Sequence, residues 1–195
     1  MLHMLRTLAS FLLLTSVTPL LASDAAMSKL KVALTDIQAI TAQKLDYSIP
    51  ENSAQLKAAV ERFFSPELLS QRALGRGWRQ LNPEQRTTFV KNFTDLLIAN
   101  YASQLQESGD ADVLYGESRT MGSGRVEIST SIVNGASELE VLYRMTDHEN
   151  DWQVYDVIIE GVSLVSNYRS QFTSILQRHG PDGLLQKLQE QLDNR

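Results

Sequence analysis

The 195-residue chain carries 18 basic and 23 acidic residues, a formal net charge of −5, and no cysteine. This acidic balance excludes a general binder of the nucleic-acid phosphate backbone, so no nucleic-acid partner is expected. The absence of cysteine excludes a disulfide framework, a lipid-modified amino terminus and cysteine-based metal sites.

The amino terminus has the features of a secretory signal peptide. Arg6 precedes an apolar run from Leu8 to Leu21, and small residues follow it. That order of charge, apolar run and small residues is typical of an export signal. The run is shorter than the ~20 predominantly apolar residues of a membrane span. An uncleaved anchor remains the alternative, because Arg6 is the only firm charge before the run.

We expect cleavage after Ala22 or Ala25, with residues 1–25 as the signal peptide and residues 26–195 as a single domain. The remaining length of about 170 residues is the usual size of a single domain with a sizeable core. Export of a cysteine-free chain fits a bacterial periplasm, where the fold relies on its core alone.

The first half of the domain has helical periodicity. Apolar residues three or four positions apart predict amphipathic helices over Met27 to Lys44 and over Ser53 to Phe63. Ser65-Pro66-Glu67 is a helix start signal, and that helix runs towards Leu74. Asn82-Pro83-Glu84-Gln85 predicts a capping box that opens the longest helix. One stripe of this helix is apolar and aromatic: Phe89, Phe93, Leu96, Leu97, Tyr101 and Leu105.

After Gly109 the apolar period changes from 3.6 to 2, which predicts strands. Four strands are expected, over positions 111–118, 126–132, 138–145 and 152–159. Asn134-Gly135 and the acidic segment 147–151 are hairpin-type connections, so the pairing is antiparallel. The helical period then returns until His179-Gly180, and a final helix follows Pro181. This order predicts an α+β domain, a curved antiparallel sheet of about four strands packed against several helices, which can enclose an apolar cavity.

No catalytic or metal-binding set is recognisable. The expected mature chain offers only His148 and His179, one in an acidic turn and one at a helix end, and no HExxH motif. Glu160 is expected to close the sheet edge, paired to Arg169 or to the backbone of the following helix. We therefore expect no enzyme, no catalytic residue, no metal and no cofactor, and a binding function instead.

Two segments resemble one family. They are ALGRGWRQLNPEQRTTFVKNFTDLLIANYASQL, from Ala73, and WQVYDVIIEGVSLVSNYRSQFTSILQRHGPDGLLQKL, from Trp152. Both resemble the MlaC or toluene-tolerance (Ttg2-type) family of periplasmic phospholipid-binding auxiliary proteins of ABC transporters. The matching positions are Gly75, Trp78, Pro83, Gln85, Arg86, Phe89, Trp152, Tyr155, Asp156, Glu160, Gly161, Val162, Ser163, Tyr168, Arg169 and Phe172.

The resemblance implies a monomeric shuttle that holds a phospholipid by its acyl tails. It implies transport between an outer-membrane lipoprotein complex and an inner-membrane MCE-domain protein of an ABC transporter, in the service of outer-membrane lipid asymmetry. Phospholipid would be cargo rather than cofactor.

The lipid-binding surface is predicted to lie between sheet and helices. Its residues are Phe93, Leu97, Tyr101, Ile128, Val141, Tyr143, Val154, Ile158, Val162 and Val165. For each of these residues, ordinary core packing is the alternative, because sequence does not distinguish a filled core from a hollow one.

Three other functions remain open at this point. The cargo of a related branch is another long apolar lipid, such as a hopanoid. An NTF2-like enzyme on a small apolar substrate would need a His or Asp dyad in its pocket. A structural subunit of an export machine would have a filled core and an exposed apolar patch.

Overall fold

The computed structural model describes residues 19–47, 49–122, 124–149 and 151–194, with side chains from Ala22 onward. The helices are α1 (Pro19–Thr41), α2 (Pro50–Glu61), α3 (Pro66–Leu74), α4 (Pro83–Glu107) and α5 (Leu164–Asp193), with a 3-10 helix, Gly75–Gln80, between α3 and α4. The strands are β1 (Asp112–Thr120), β2 (Arg125–Asn134), β3 (Ser137–His148), β4 (Asp151–Ile159) and β5 (Val162–Ser163). None of the helices in these ranges is long and apolar enough to cross a membrane.

The α+β class is confirmed, with one addition to the sheet. All neighbouring strands pair antiparallel in the order β1-β2-β3-β4-β5. The expected count of about four strands omits β5, which has two residues and therefore no readable alternation. β5 forms because Glu160 and Gly161 both adopt positive φ, 49° and 77°, and turn the chain back along β4.

The helix start signals are confirmed in atomic detail. The Ser65 hydroxyl accepts a hydrogen bond from the backbone N–H of Leu68 at 3.2 Å. At α4, Asn82 Oδ1 accepts from the N–H of Gln85 at 2.8 Å, and Gln85 Oε1 accepts from the N–H of Asn82 at 2.9 Å. These reciprocal bonds form the capping box and satisfy two otherwise unpaired donors.

Two helix boundaries differ from the sequence expectation. α1 begins at Pro19 instead of Met27, so its first residues belong to the segment assigned to the signal peptide, whose residues 1–18 lie outside the described ranges. It ends at Thr41, and Lys44 beyond it has a positive φ of 53°. α2 begins at Pro50 instead of Ser53, because proline at the first helical position loses no hydrogen bond.

α5 is two helical segments joined at Gly180, which has φ 66° and ψ −174°. This backbone conformation is essentially restricted to glycine. The helix end expected at His179-Gly180 and the new helix after Pro181 are therefore both present.

The buried residues form three apolar clusters. The sheet cluster joins α1 to the sheet and contains Ala26, Leu30, Leu34, Val126, Ile128, Val141, Tyr143, Met145, Trp152, Val154 and Val157. The aromatic cluster joins α3, α4 and α5 and contains Ala73, Leu74, Leu81, Phe89, Phe93, Leu96, Tyr168, Phe172, Leu176, Leu184 and Leu188. The α2 cluster contains Ile37, Leu56, Ile98 and Ala102.

Candidate functional site

One side of the sheet, the apolar face, is defined by cross-strand partners Ile128, Tyr143 and Val157. α1 covers it, with Ala26, Leu30 and Leu34 packed against the strands. The hydroxyl of Tyr143 lies in this apolar surrounding, and burial raises the pKa of Tyr143 well above its ordinary value. The apolar face therefore keeps a neutral phenol at any physiological pH.

β4 is buried on both faces and contains a bulge. Arg144 pairs with Asp156 and the next residue, Met145, pairs with Val154, so Tyr155 is the extra residue of β4. The bulge places Val154 and Val157 on the same, apolar face although they are three positions apart. Tyr155 is buried, and the guanidinium of Arg72 lies 3.9 Å from the centre of its ring.

The opposite side of the sheet, the polar face, carries a chain of charges across four strands. Glu127 accepts from Arg119 Nη2 at 3.0 Å and from Arg144 Nε at 2.9 Å, and Arg144 Nη1 lies 3.3 Å from Asp156. Partial burial alone would lower the pKa of Arg144, but the Glu127 hydrogen bond and the two carboxylate charges raise it. Ion pairs therefore connect four strands on this face.

Two half-buried residues connect the three clusters. Phe64 packs against both the sheet cluster and the α2 cluster, and Leu164 packs against both the sheet cluster and the aromatic cluster. The segment before Phe64 occupies the outer edge of β4, where Val154 N–H donates to the Phe63 carbonyl at 2.8 Å. Sheet and helices therefore meet at Phe64 and Leu164, the two junction residues.

Neither junction residue is among the ten predicted lipid-binding residues. Each has a local signal, because Phe64 directly precedes the cap residue Ser65 and Leu164 directly follows the cap residue Ser163. A hydrophobic residue just before an N-cap is a recognised packing position.

The ten predicted lipid-binding residues lie in several different parts of the structure. Four of them belong to the sheet cluster: Ile128, Val141, Tyr143 and Val154. Phe93 is in the aromatic cluster and Leu97 packs against it. Ile158 is buried beside Leu142 on the polar face, Val165 is buried in the first turn of α5, and Val162 is 60% exposed.

Tyr101 belongs to a small polar group at the edge of the aromatic cluster. Its hydroxyl is hydrogen-bonded to Tyr168, whose hydroxyl accepts from Asn100 Nδ2 at 2.7 Å. Burial and these neighbours raise the pKa of Tyr101. Asn100 Oδ1 is buried without a hydrogen-bond partner.

Two open grooves lie on the helical side of the molecule. One, about 790 Å³, runs between the α1–α2 connection, α2 and α4, and is bordered by Tyr47, Lys57 and Asp95. The other, about 630 Å³, is lined by Asn100, Tyr168 and polar residues of α5. None of the ten predicted residues lines either groove.

Within the described ranges, no three His, Asp or Glu side chains are grouped closely enough to hold a metal ion. Both histidines of these ranges, His148 and His179, are exposed. Glu160 does not pair with Arg169 as expected, because Arg169 donates to the Arg72 carbonyl and Glu160 Oε1 accepts from the N–H of Glu140 at 3.1 Å. The Glu160 carboxylate is thus bonded to the backbone of β3 and not to Arg169 of α5.

The model of the MlaC protein family matches residues 31–190. The chain belongs to the MlaC family. The resemblance seen in the segments from Ala73 and Trp152 is thereby confirmed, and the family match also includes α2 and the second half of α1.

Two curated relatives match parts of the chain. The intermembrane phospholipid transport system binding protein MlaC of Haemophilus influenzae is 26% identical over 129 residues, 64% of this chain and 60% of that protein. The toluene tolerance protein ttg2D of Pseudomonas putida is 26% identical over 105 residues, 53% of this chain and 49% of that protein. The chain thus spans about half to three fifths of the length of these relatives.

A solved structure shares nearly the whole fold. The phospholipid-binding protein of Ralstonia solanacearum, determined in complex with a phospholipid, superposes with a TM-score of 0.79 at 28% sequence identity. The superposition covers 87% of this chain and 97% of that one. The common fold therefore includes both the sheet and the helical layer.

Proposed function

We propose that this protein is a periplasmic phospholipid carrier, which binds one lipid by its acyl tails and moves it between the two membranes of the cell envelope. The observation that carries the proposal is the common fold with a protein that was determined with a phospholipid bound. Membership of the MlaC family and the name of the Haemophilus relative support intermembrane phospholipid transport. The proposed partners are an inner-membrane MCE-domain protein and an outer-membrane lipoprotein complex. The proposed role of the transport is to maintain the lipid asymmetry of the outer membrane.

The periplasm is the proposed location because of the amino-terminal pattern. Arg6, the apolar run to Leu21 and the small residues after it form an export signal. Cleavage after Ala25 would leave a mature α1 that begins at Ala26, the first of its residues in the sheet cluster.

The lipid tails are proposed to occupy the layer between the apolar face and the helices. Each buried methylene is worth ~0.8 kcal/mol, so two tails of about 15 methylenes cost roughly 24 kcal/mol if exposed to water. A carrier must therefore cover the tails completely, yet hold them no better than a bilayer does, or they would not be released. A dry apolar layer with a solvated head group meets both requirements.

We propose that lipid enters where the helices meet the sheet. The predicted residues of the apolar face, among them Ile128 and Val141, are almost completely buried against α1 and the junction residues. Tails reach them only where the helices separate from the sheet at Phe64 and Leu164. The positive φ angles of Glu160 and Gly161, directly before β5, provide a turn at which such a movement is possible.

We infer binding and release without chemical change to the lipid. The exposed positions of His148 and His179 and the ion-paired state of the polar-face carboxylates support this view.

Native mass spectrometry of protein purified from the periplasm tests the proposal. We expect a mass that corresponds to the chain without its signal peptide and an additional mass of a two-tailed lipid. The lipid mass distinguishes a phospholipid from a hopanoid. A clean unliganded mass, with no lipid uptake from vesicles, would exclude the carrier function.

A pair of matched substitutions tests the position of the tails. Val141 is a predicted lipid contact, whereas Val126 lies on the same face in the same cluster and is not. We expect Val141→Phe to lower lipid occupancy and, because Val141 is also buried, to lose ~1–3 kcal/mol from overpacking. Val126→Phe should retain lipid and lose ~1–3 kcal/mol from overpacking. Identical behaviour of both variants would remove Val141 from the site.

A further inference from the structure

The turn between α3 and α4 is surrounded by arginines that have no carboxylate partner. Within the described ranges no acidic oxygen lies within ion-pair distance of the five members of this arginine cluster, Arg72, Arg76, Arg79, Arg86 and Arg169. The segment from Arg72 to Gln80 contains no Asp or Glu. The lysines of the same ranges differ, since all but Lys31 form ion pairs: Lys29, Lys44, Lys57, Lys91 and Lys187.

Contacts with the backbone and an aromatic ring position two of the guanidiniums. Arg169 donates from Nε and Nη2 to the Arg72 carbonyl, at 2.8 and 2.5 Å. Its side chain lies against Gly75, where a Cβ atom would be 3.5 Å from Arg169 Nε. The guanidinium of Arg72 is stacked over the Tyr155 ring, and its Nε is buried without a hydrogen-bond partner.

The 3-10 helix presents the remaining members. Arg76 and Arg79 are exposed and three residues apart, so they lie on the same side of a helix with three residues per turn. Arg86 lies 5.2 Å from the centre of the Trp78 ring and donates to the Trp78 carbonyl at 3.2 Å. The cluster therefore combines fixed and free guanidiniums with a half-buried indole.

We propose that the arginine cluster is a docking surface for an anionic phospholipid bilayer. The planar guanidinium fork binds two oxygens of a phosphate group at once, which a lysine ammonium does not. Trp78 adds the amphipathic ring that is favoured at the membrane–water interface. The attraction is local, because the chain as a whole has a net charge of −5.

A bilayer fits this surface better than a protein partner does. Protein interfaces have an apolar centre surrounded by polar residues. The exposed large hydrophobic residues of the described ranges, Val32, Ile49, Leu114 and Val162, all lie outside the segment from Arg72 to Arg86. The surface thus offers charge and one indole, which match a layer of phosphate groups. This docking is independent of whether the protein carries lipid.

Vesicle flotation with the purified protein tests the inference. We expect the protein to float with mixed vesicles of phosphatidylglycerol and phosphatidylcholine at low salt and to dissociate from them at high salt. It should not float with vesicles of pure phosphatidylcholine. Arg76→Gln/Arg79→Gln should reduce the partition coefficient on the order of 20-fold, from about fivefold per basic residue near the surface. Lys44→Gln/Arg125→Gln, at two exposed positions elsewhere, removes the same charge and should change it little.

Three outcomes would overturn the inference: no flotation of the unmodified protein, equal flotation with neutral vesicles, or equal losses in both double variants. Binding to a soluble polyanion without flotation would also overturn it. Bound lipid measured on the same samples separates this result from the carrier proposal, because Arg76→Gln/Arg79→Gln should retain its lipid.

Discussion

Asp156 Oδ1 on β4 accepts a hydrogen bond from the backbone N–H of Val165 at 3.2 Å, so a buried strand residue holds the first turn of α5. Asp156 Oδ2 accepts from Ser163 Oγ at 2.8 Å and from Arg144 Nη1 at 3.3 Å. One carboxylate therefore joins the polar face, β5 and the start of α5. These are the elements on both sides of the Glu160-Gly161 turn.

We expect Asp156→Ala to lower the free energy of unfolding by about 3 kcal/mol, because it leaves Arg144 with Glu127 as its one remaining carboxylate partner and removes the acceptor that holds the first turn of α5. Ser163→Ala removes the helix cap, whose Oγ accepts from the N–H of Ser166, and the hydrogen bond from Ser163 Oγ to Asp156, but it leaves the ion pair in place. It should cost about 1–2 kcal/mol. Guanidinium chloride unfolding of both variants measures the difference. Equal losses would show that the ion pair contributes nothing beyond the cap.

Stability at high pH should depend on Tyr143. Burial raises the pKa of this phenol above the ordinary value of 10.0, so it remains protonated in the folded chain while the unfolded chain ionises. Its contribution is complete below pH 10 and is lost as the pH rises further. Tyr143→Phe should therefore reduce the alkaline slope of unfolding free energy by about 1.4 kcal/mol per pH unit. Denaturant unfolding on either side of pH 10 measures it, and an unchanged slope would contradict the burial of the hydroxyl.

Phe172 is the centre of the aromatic cluster. Its ring is perpendicular to those of Phe89 and Phe93, with centroids 5.3 and 5.1 Å away. Phe172→Ala should cost about 3–5 kcal/mol, since it leaves a cavity between α4 and α5. Phe172→Leu should cost much less. Thermal unfolding distinguishes the two, and a small loss in the alanine variant would show that this region is loosely packed.

A side chain at Gly180 should destabilise the kink of α5. Nothing lies within 4 Å of a Cβ atom built there, so the cost of Gly180→Ala comes from the backbone conformation alone. We expect a loss of about 1–3 kcal/mol. Lys187→Ala, on the exposed surface of the same helix, should stay within about 0.5 kcal/mol. Denaturant unfolding of the pair tests this, and a neutral Gly180→Ala would mean that the kink relaxes.

The sequence predicted elements well where the signal is local. The caps at Ser65 and Asn82, the hairpin turn at Gly135 and the helix end at Gly180 are all where the residue types indicate. Each depends on a few neighbouring residues, whose hydrogen bonds and allowed φ values are fixed by their own chemistry.

Predictions that depend on distant partners were less successful. The expected partner of Glu160 was Arg169 or the backbone of the following helix. Instead, the Arg72 carbonyl accepts both Arg169 donors, and Glu160 Oε1 accepts from the N–H of Glu140 in β3. The bulge at Tyr155 and the strand β5 also escaped prediction, since both depend on the register with β3 and β4.

Residue patterns alone were sufficient to predict the helix and strand order, the starts of α3 and α4, the antiparallel hairpins and the resemblance to the family. These follow from periodicity and local hydrogen bonding, which act over a few residues. Three features instead depend on contacts between distant segments: β4 places Val154 and Val157 on the same face, α1 covers that face, and Phe64 and Leu164 join the clusters. Such contacts are not readable from a local pattern because apolar burial is non-directional. It requires that Ile128 and Phe93 be covered, but it does not specify which helix covers them.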